Sequence, residues 1–170
     1  MQRRDLLKGA GLGLATGVLG SAQAADLPMV RWRMASSFPK SVDVLYGAAE
    51  RLARRLDEIT SGKFQIRVFA SGEIVPGLQV MDAVGQATVE CGQTAGYYYV
   101  GKNMAFAFET ALPFGLDARQ QMAWMYAGGG RELMRDLYKD HGVVMFPGGN
   151  TGVQMGGWFR REINSISDLK

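Results

Sequence analysis

One cysteine, one histidine and no long apolar run are the scarcities that matter in this chain of 170 residues. A solitary Cys91 excludes an internal disulfide, and its neighbours Val89-Glu90-Cys91-Gly92 read as a short strand in which a lone cysteine acts as a small hydrophobe. With His141 equally alone, neither a His/Cys metal cluster nor Cys–His nucleophilic catalysis finds the residues it needs. His141 sits beside Gly142 at an expected helix end, where histidine is a common capping residue. No pair of carboxylates stands at a recognisable catalytic spacing. Gly128-Gly129-Gly130 lacks the Gly-Lys-Ser/Thr ending of a phosphate loop and reads as a flexible break between two packed helices. The most apolar stretch, residues 9–20, is short and glycine-rich, whereas a membrane span needs about 20 apolar residues.

Net charge is scarce too, once the amino terminus is set aside. Arg3-Arg4-Asp5-Leu6-Leu7-Lys8, the apolar run and Ala22-Gln23-Ala24 together form a twin-arginine export signal with an A-x-A cleavage site. We therefore expect residues 1–24 to be a cleaved leader and the mature protein to be periplasmic. The leader holds three of the 19 Lys+Arg and one of the 16 Asp+Glu, leaving 16 against 15. A chain so near neutrality carries no electrostatic footprint for nucleic acid or for an anionic membrane.

What remains alternates strand and helix. Residues 30–35 alternate apolar and charged side chains, and residues 64–69 and 89–94 follow the same strand logic. Between the first two, residues 41–60 place Leu45, Ala48, Leu52, Leu56 and Ile59 on one helical face, with Ser41 as cap and Ser61-Gly62 as stop. The loop 72–79 leads into a helix ending near Ala87, and two more helices are expected over 118–127 and 131–141. Val143-Val144-Met145-Phe146 reads as a fourth, wholly buried strand. Met104, Phe106, Phe108 and Phe114 are expected in the core. The pattern predicts an α/β lobe with a mostly parallel sheet and helices on both faces, whose ligands collect beyond the strands' carboxyl ends. Those ends carry Ser36-Ser37-Phe38-Pro39, Ser71-Gly72-Glu73 and Gly96-Tyr97-Tyr98-Tyr99. Phe38 is either a lid on the core or the wall of a pocket, and three successive tyrosines cannot all face one side.

The most unusual stretch comes last. Pro147-Gly148-Gly149-Asn150 is a turn signal, followed by an extended run in which Gly152, Gly156 and Gly157 strip side chains away. Gln154 is its one long neutral polar side chain. It reads either as a solvent-facing strand residue or as a group pointing into a cleft between two lobes.

The run from Gly148 through Val153-Gln154-Met155-Gly156-Gly157-Trp158-Phe159-Arg160-Arg161-Glu162-Ile163 resembles the solute-binding proteins of tripartite ATP-independent periplasmic (TRAP) transporters. It is most similar to the branch that binds 2-oxo or 2-hydroxy acids with a cation. The resemblance extends through residues 32–40, 72–79 and 96–101. It implies a periplasmic-binding-protein-like fold with 25–150 as the first lobe, 151–162 as an interlobe crossover strand and 163–170 as the start of a second lobe that this chain lacks. It further implies capture of a small carboxylate such as pyruvate or lactate, with Na⁺ or Ca²⁺ as co-ligand, for delivery to membrane permease subunits; a homodimer is a further expectation. Gln154 is implied as substrate ligand and metal ligand, with Tyr98, Tyr99, Phe38 and Asn150 as further substrate-binding candidates. In these proteins the arginine that clamps the substrate carboxylate follows the point matching Lys170, and the remaining cation ligands come later still. Arg160 and Arg161 do not replace them, since adjacent strand residues face opposite ways. The competing readings are a twin-arginine-exported enzyme and a sensor-linked binding module without transport.

The export reading has a direct check. Replacing Arg3 and Arg4 by lysine is expected to leave uncleaved precursor in the cytoplasm; periplasmic accumulation at the normal level would show a different route.

Overall fold

The computed structural model describes residues 28–110, 112–152, 154 and 156–170. The expected leader and its cleavage site, and the side chains of Val153 and Met155, lie outside these residues. The architecture is α/β. A three-stranded parallel sheet has the order β2-β1-β3, with β1 at Val30–Ser36, β2 at Phe64–Phe69 and β3 at Cys91–Gln93. Val30 pairs with Phe64 and Ala35 with Phe69 on one side of β1, while Met34 to Ser36 pair with Cys91 to Gln93 on the other.

Helix α1 (Asp43–Ile59) crosses from β1 to β2, and α2 (Val80–Gly85) crosses from β2 over to β3. Right-handed crossovers running in opposite directions across a sheet must lie on opposite faces. The side chains agree. Ala35 packs with Val80 and Ala83 of α2, whereas Gln93, in register with Ser36, donates from Nε2 to the Leu45 carbonyl of α1 at 2.6 Å. Ala35 and Ser36 are neighbours on one strand and so face opposite ways. The expected helices on both faces are thus present.

The contact face of α1 is rotated from the expected one. Tyr46, Ala49 and Ala53 are buried, while Leu52 and Ile59 are exposed. Small side chains let the helix settle close to the sheet, and Tyr46 reaches the Val68 carbonyl at 3.4 Å. Ser41 is not the cap; the helix starts from Val42 with Asp43 in its first turn, a favourable charge for that end. Its stop is as expected, with Ser61 and Gly62 both at positive φ.

After β3 the chain forms a second layer of core. Short helix α3 (Ala107–Thr110) precedes α4 (Ala118–Ala127) and α5 (Gly130–Lys139). Asp117 and Gln120 form a reciprocal capping box at the start of α4, with bonds of 2.8 and 3.0 Å. Met81, Tyr99, Phe106, Met125, Met134, Tyr138 and Met145 make one buried cluster. Of the four residues expected in the core from the preceding loop, only Phe106 is buried; Met104, Phe108 and Phe114 are exposed. Their segment winds into short helical turns, which point most of its side chains away from that cluster.

The expected break at the triple glycine is present between two packed helices, and one further expectation is corrected. The triple glycine between α4 and α5 is a packing device. A Cβ on Gly130 would lie 2.5 Å from Trp124 Cδ2, and Gly129 supplies the left-handed turn at φ 80°. Residues 143–146 form no strand: the outer strands β2 and β3 are left unextended, and the segment is held against α5 instead. Met145 is buried, its carbonyl taken by Arg135 Nε at 3.1 Å, and the Arg135 guanidinium lies 4.6 Å from the Phe146 ring centroid. Among the described residues of 151–162 no ladder forms, since an extended segment without a neighbour has none to join. Arg161 turns to the Asp168 carbonyl at 3.0 Å. Ser165 caps the final turn, Ile166–Leu169.

Arg33 and Glu90 tie the sheet to the loop before β3. Arg33 Nη2 reaches Glu90 Oε1 at 2.7 Å and the Thr88 carbonyl at 2.8 Å, and its amide donates to Glu90 Oε2. These bonds from Arg33 hold the Glu90 carboxyl at about 2, far below 4.5. A depressed carboxyl stabilises the fold above its unfolded value and loses that contribution as pH falls through the folded value. The stability gap between wild type and Glu90→Gln is therefore expected to be full at pH 7, to shrink below about 4.5 and to close near 2 in acid-dependent denaturant titrations. A gap independent of pH over that window would remove the ion pair as its cause.

Candidate functional site

At the carboxyl end of β1 the chain must turn away while its polar groups stay buried. Ser36 and Ser37 are both buried there. Ser36 Oγ donates to Gln93 Oε1 at 2.8 Å and accepts from the Phe38 amide at 3.1 Å. Ser37 Oγ lies 2.6 Å from the Gly77 carbonyl and 2.7 Å from Thr94 Oγ1. A carbonyl only accepts, so the single Ser37 proton goes to Gly77, Thr94 donates to Ser37 and the Tyr99 hydroxyl, 2.8 Å from Thr94, donates in turn. The Met81 amide completes the chain by donating to Tyr99 at 3.1 Å. Among the described residues no buried side-chain nitrogen or oxygen lacks a partner. Lys40 and Glu73 brace the loops after β1 and β2 with a 2.7 Å ion pair, and Glu73 also accepts from the Ala70 amide.

On this base sits the turn Gly96–Tyr99, which deals the three tyrosines to three environments. Tyr99 is 1% exposed and belongs to the core, its phenol held by Thr94 and Met81. That corrects its expected place as a cleft-lining ring: the strand ends need a hydroxyl, and Tyr99 supplies it from within. Burial raises its phenol above the ordinary value. Tyr97 is 38% exposed, and its phenol is pushed up to about 12 by burial and the neighbouring Tyr98 hydroxyl. Tyr98 is half-buried. Its ring meets Tyr97 edge-on at 4.5 Å and Phe38 at 6.2 Å. Phe38 is only 7% exposed, so it backs this aromatic pair from beneath.

Asn150 and Gln154 are both exposed. Asn150 Oδ1 accepts from the Gly152 amide at 2.7 Å, a local turn closure. Gln154 donates from Nε2 to Thr151 Oγ1 at 2.9 Å, which turns its carbonyl oxygen away from that contact. Among the described residues neither side chain hydrogen-bonds to Phe38 or the tyrosines. The structure thus presents two separate groups, aromatic and amide. Ser36, Ser37, Gln93, Thr94 and Glu109 were not singled out individually from the sequence; the signal available for the first pair was a doublet of small hydroxyls directly after an alternating strand. A surface depression of about 430 Å³ lies along α2, lined by Gln79, Asp82, Gln86 and Lys102 among others, and includes none of the candidates. The Lys102–Asp82 ion pair, 2.9 Å long, accounts for its charged groups.

The sheet order, the strand-end network and the turn that follows give this chain a form that can be set beside known proteins. Residues 35–170 match the family model for bacterial extracellular solute-binding proteins of family 7, DctP. The chain belongs to this family. It is a family of solute-binding proteins and not of enzymes. A monocarboxylate 2-oxoacid-binding periplasmic protein of Nostoc sp. is 52% identical over 177 residues, covering the whole chain and 48% of that relative. A TRAP transporter solute-binding protein from Bordetella bronchiseptica, solved as a dimer with calcium and picolinate in one active site, is 53% identical at a TM-score of 0.80. There 84% of this chain and 42% of the other are covered. A TRAP periplasmic solute-binding protein from Pseudoalteromonas atlantica with bound sodium and pyruvate is 41% identical at 0.79, over 84% and 43%. The chain therefore spans about half the length of these relatives.

The distribution of the tyrosines within this DctP-family chain can be tested by removing one hydroxyl at a time. Tyr99→Phe strands the Met81 amide and Thr94 and is expected to cost about 1–3 kcal/mol of unfolding free energy. Tyr98→Phe, at a half-exposed position, is expected to stay within ~0.5 kcal/mol of wild type. Equal losses in denaturant melts would contradict the inside–outside assignment.

Proposed function

We propose that this chain is the first lobe of an extracytoplasmic solute-binding protein that captures a small 2-oxo or 2-hydroxy acid together with Na⁺ or Ca²⁺ and delivers it to a TRAP membrane permease. The observation that carries this reading is the match along the whole chain, at 52% identity, to a monocarboxylate 2-oxoacid-binding relative. The calcium–picolinate and sodium–pyruvate structures support the cation and the carboxylate. The leader at 1–24, cleaved on export, belongs to the same reading, as does a second lobe following the crossover segment 151–162. Val144, Phe146, Trp158 and Phe159 are exposed apolar side chains around that segment, the kind of surface that a contact normally covers. A dimer is the assembly of one relative and a further part of the proposal.

Gln154 is the principal ligand in this reading. Its carbonyl oxygen suits a hard cation and its NH₂ suits a carboxylate oxygen. The fit to a cation holds in ligand type and falls short in number. Ca²⁺ takes about 6–8 oxygens, while no group of three His, Cys, Asp or Glu stands ready among the described residues. Gln154 would therefore hold one position on the ion and other parts of the full-length protein the rest. When bound, the cation supplies the positive charge that the substrate carboxylate needs. Tyr98, with Phe38 behind it, and Asn150 supply the wall and rim.

In the full-length protein, Gln154→Ala is expected to weaken pyruvate binding by about 1.5–3 kcal/mol, the scale of a hydrogen bond to a charged group. It should also blunt the dependence of affinity on added Na⁺ or Ca²⁺, with circular dichroism and ligand-free melting close to wild type. An unchanged dissociation constant in a folded variant would return Gln154 to a plain surface residue.

A further inference from the structure

Glu109 is a partly buried carboxylate to which the proposed function assigns nothing. It projects from α3 toward the turn Gly96–Tyr99. Its Oε2 accepts the Tyr138 hydroxyl of α5 at 2.6 Å, and the Gly96 amide donates to the same carboxyl. Three elements are thus joined at one side chain. The approach is so close that a Cβ on Gly96 would overlap Glu109 Oε2 and come within 2.8 Å of the Phe106 carbonyl oxygen. Gly96 must lack a side chain for the carboxyl to reach its amide. Burial raises the Glu109 carboxyl, whereas Glu73, Glu90, Glu132 and Asp168 are all held below their ordinary values by hydrogen bonds. A desolvated carboxylate is costly to keep unless its acceptor sites are used. Here they are used on the first residue of the turn that carries Tyr97 and Tyr98.

We propose that Glu109 is a positioning residue for the aromatic face that Tyr97 and Tyr98 present beside Phe38, setting ligand affinity without touching the ligand. The geometry shows the route. Glu109 anchors Gly96, Tyr99 anchors the other end of the same turn to Thr94 and Met81, and between these anchors Tyr97 is exposed and Tyr98 half-buried against Phe38. One anchor without the other would leave the turn free to pivot about Tyr99. The link to affinity rests on the reading that Tyr98 lines the ligand site.

The test uses the full-length protein, with pyruvate and Ca²⁺ as probes, and two independent readouts. The first needs no ligand: the tyrosine region of the near-ultraviolet circular dichroism reports the edge-to-face Tyr97–Tyr98 pair. Glu109→Ala is expected to lose the component that Tyr98→Ala loses, and Glu109→Gln, which keeps an acceptor oxygen of the same reach, to retain most of it. The second is calorimetry. Glu109→Ala is expected to weaken pyruvate about tenfold, Glu109→Gln by under about threefold, and Glu109→Ala to add under about twofold in a Tyr98→Ala background, because residues acting through one another are not additive. A folded Glu109→Ala with a wild-type tyrosine signal overturns the proposal. So does full additivity with Tyr98→Ala, or an altered signal with unchanged affinity. If wild type binds no 2-oxo acid at all, the functional reading fails and with it the link to affinity, while the spectroscopic arm still decides whether Glu109 holds the turn. Should Glu109→Ala not fold, Tyr138→Phe removes only the hydroxyl partner, and the same signs are expected at smaller amplitude.

Discussion

The carboxyl ends of three parallel strands have to be closed off with polar groups that are themselves buried, and the rest of the lobe depends on how this is done. Backbone groups at a strand end have lost their ladder, and in a buried position each unpaired one costs about 1–3 kcal/mol. Ser36, Ser37, Gln93 and Thr94 take over from the ladder, and Tyr99 hands the last proton of the chain across to Thr94. Because Gln93 also reaches Leu45 and Tyr99 also receives Met81, the same network fastens α1 and α2 to opposite faces of the sheet. The position of the tyrosine turn is a consequence. With Tyr99 committed inward, the preceding residues of a tight helical turn must face elsewhere: Tyr97 reaches the surface and Tyr98 stays half-buried against Phe38.

Much of this was legible in the sequence where local pattern and tertiary context agree. The alternation at β1 and β2 and the helix stop at Ser61-Gly62 each follow from a propensity that the fold does not oppose. The failures share one cause. Val143 to Phe146 read as a strand, yet a strand exists only beside another, and no residue pattern reports which partner a segment will take. The rotated face of α1 has a related origin. Leucines outnumber alanines in the apolar pattern, but the distance of closest approach to the sheet selects the alanines. Phe114, expected in the core, stands fully exposed at φ 58°, a backbone conformation no hydropathy pattern announces.

The candidate site was legible in part. Gln154 and Phe38 were visible because each is chemically out of place in its segment. The three tyrosines were visible only as a group, since which ring turns inward is decided by Thr94 and the Met81 amide. Glu109 gave no signal, because a single glutamate in an apolar stretch is ordinary; its meaning comes from Gly96 and Tyr138, 13 and 29 residues away. Glycines proved to be markers of contact more than of flexibility. Gly96 makes room for a carboxylate and Gly130 for an indole ring.

The charges of the proposed ligand residues bear on why, under the proposed function, a cation would accompany the ligand. Phe38, Tyr98, Asn150 and Gln154 are all neutral, and the Lys40 ammonium among the strand-end loops is already engaged by Glu73. A carboxylate anion entering here would lose hydration and meet dipoles and π-faces, with no full positive charge from these residues to offset that loss. Edge-on aromatic hydrogens and an amide NH₂ stabilise an anion only partly. The balance has to come from a charge outside this set, either a metal ion held in common by Gln154 and other oxygens or a basic side chain from the opposing part of the protein. A neutral amide is the side chain best suited to that arrangement: it turns an oxygen to the cation and a donor to the anion, whereas a carboxylate would serve the first and repel the second. Under the proposed function, the neutrality of these four side chains is why a positive charge has to be supplied from elsewhere in the full-length protein.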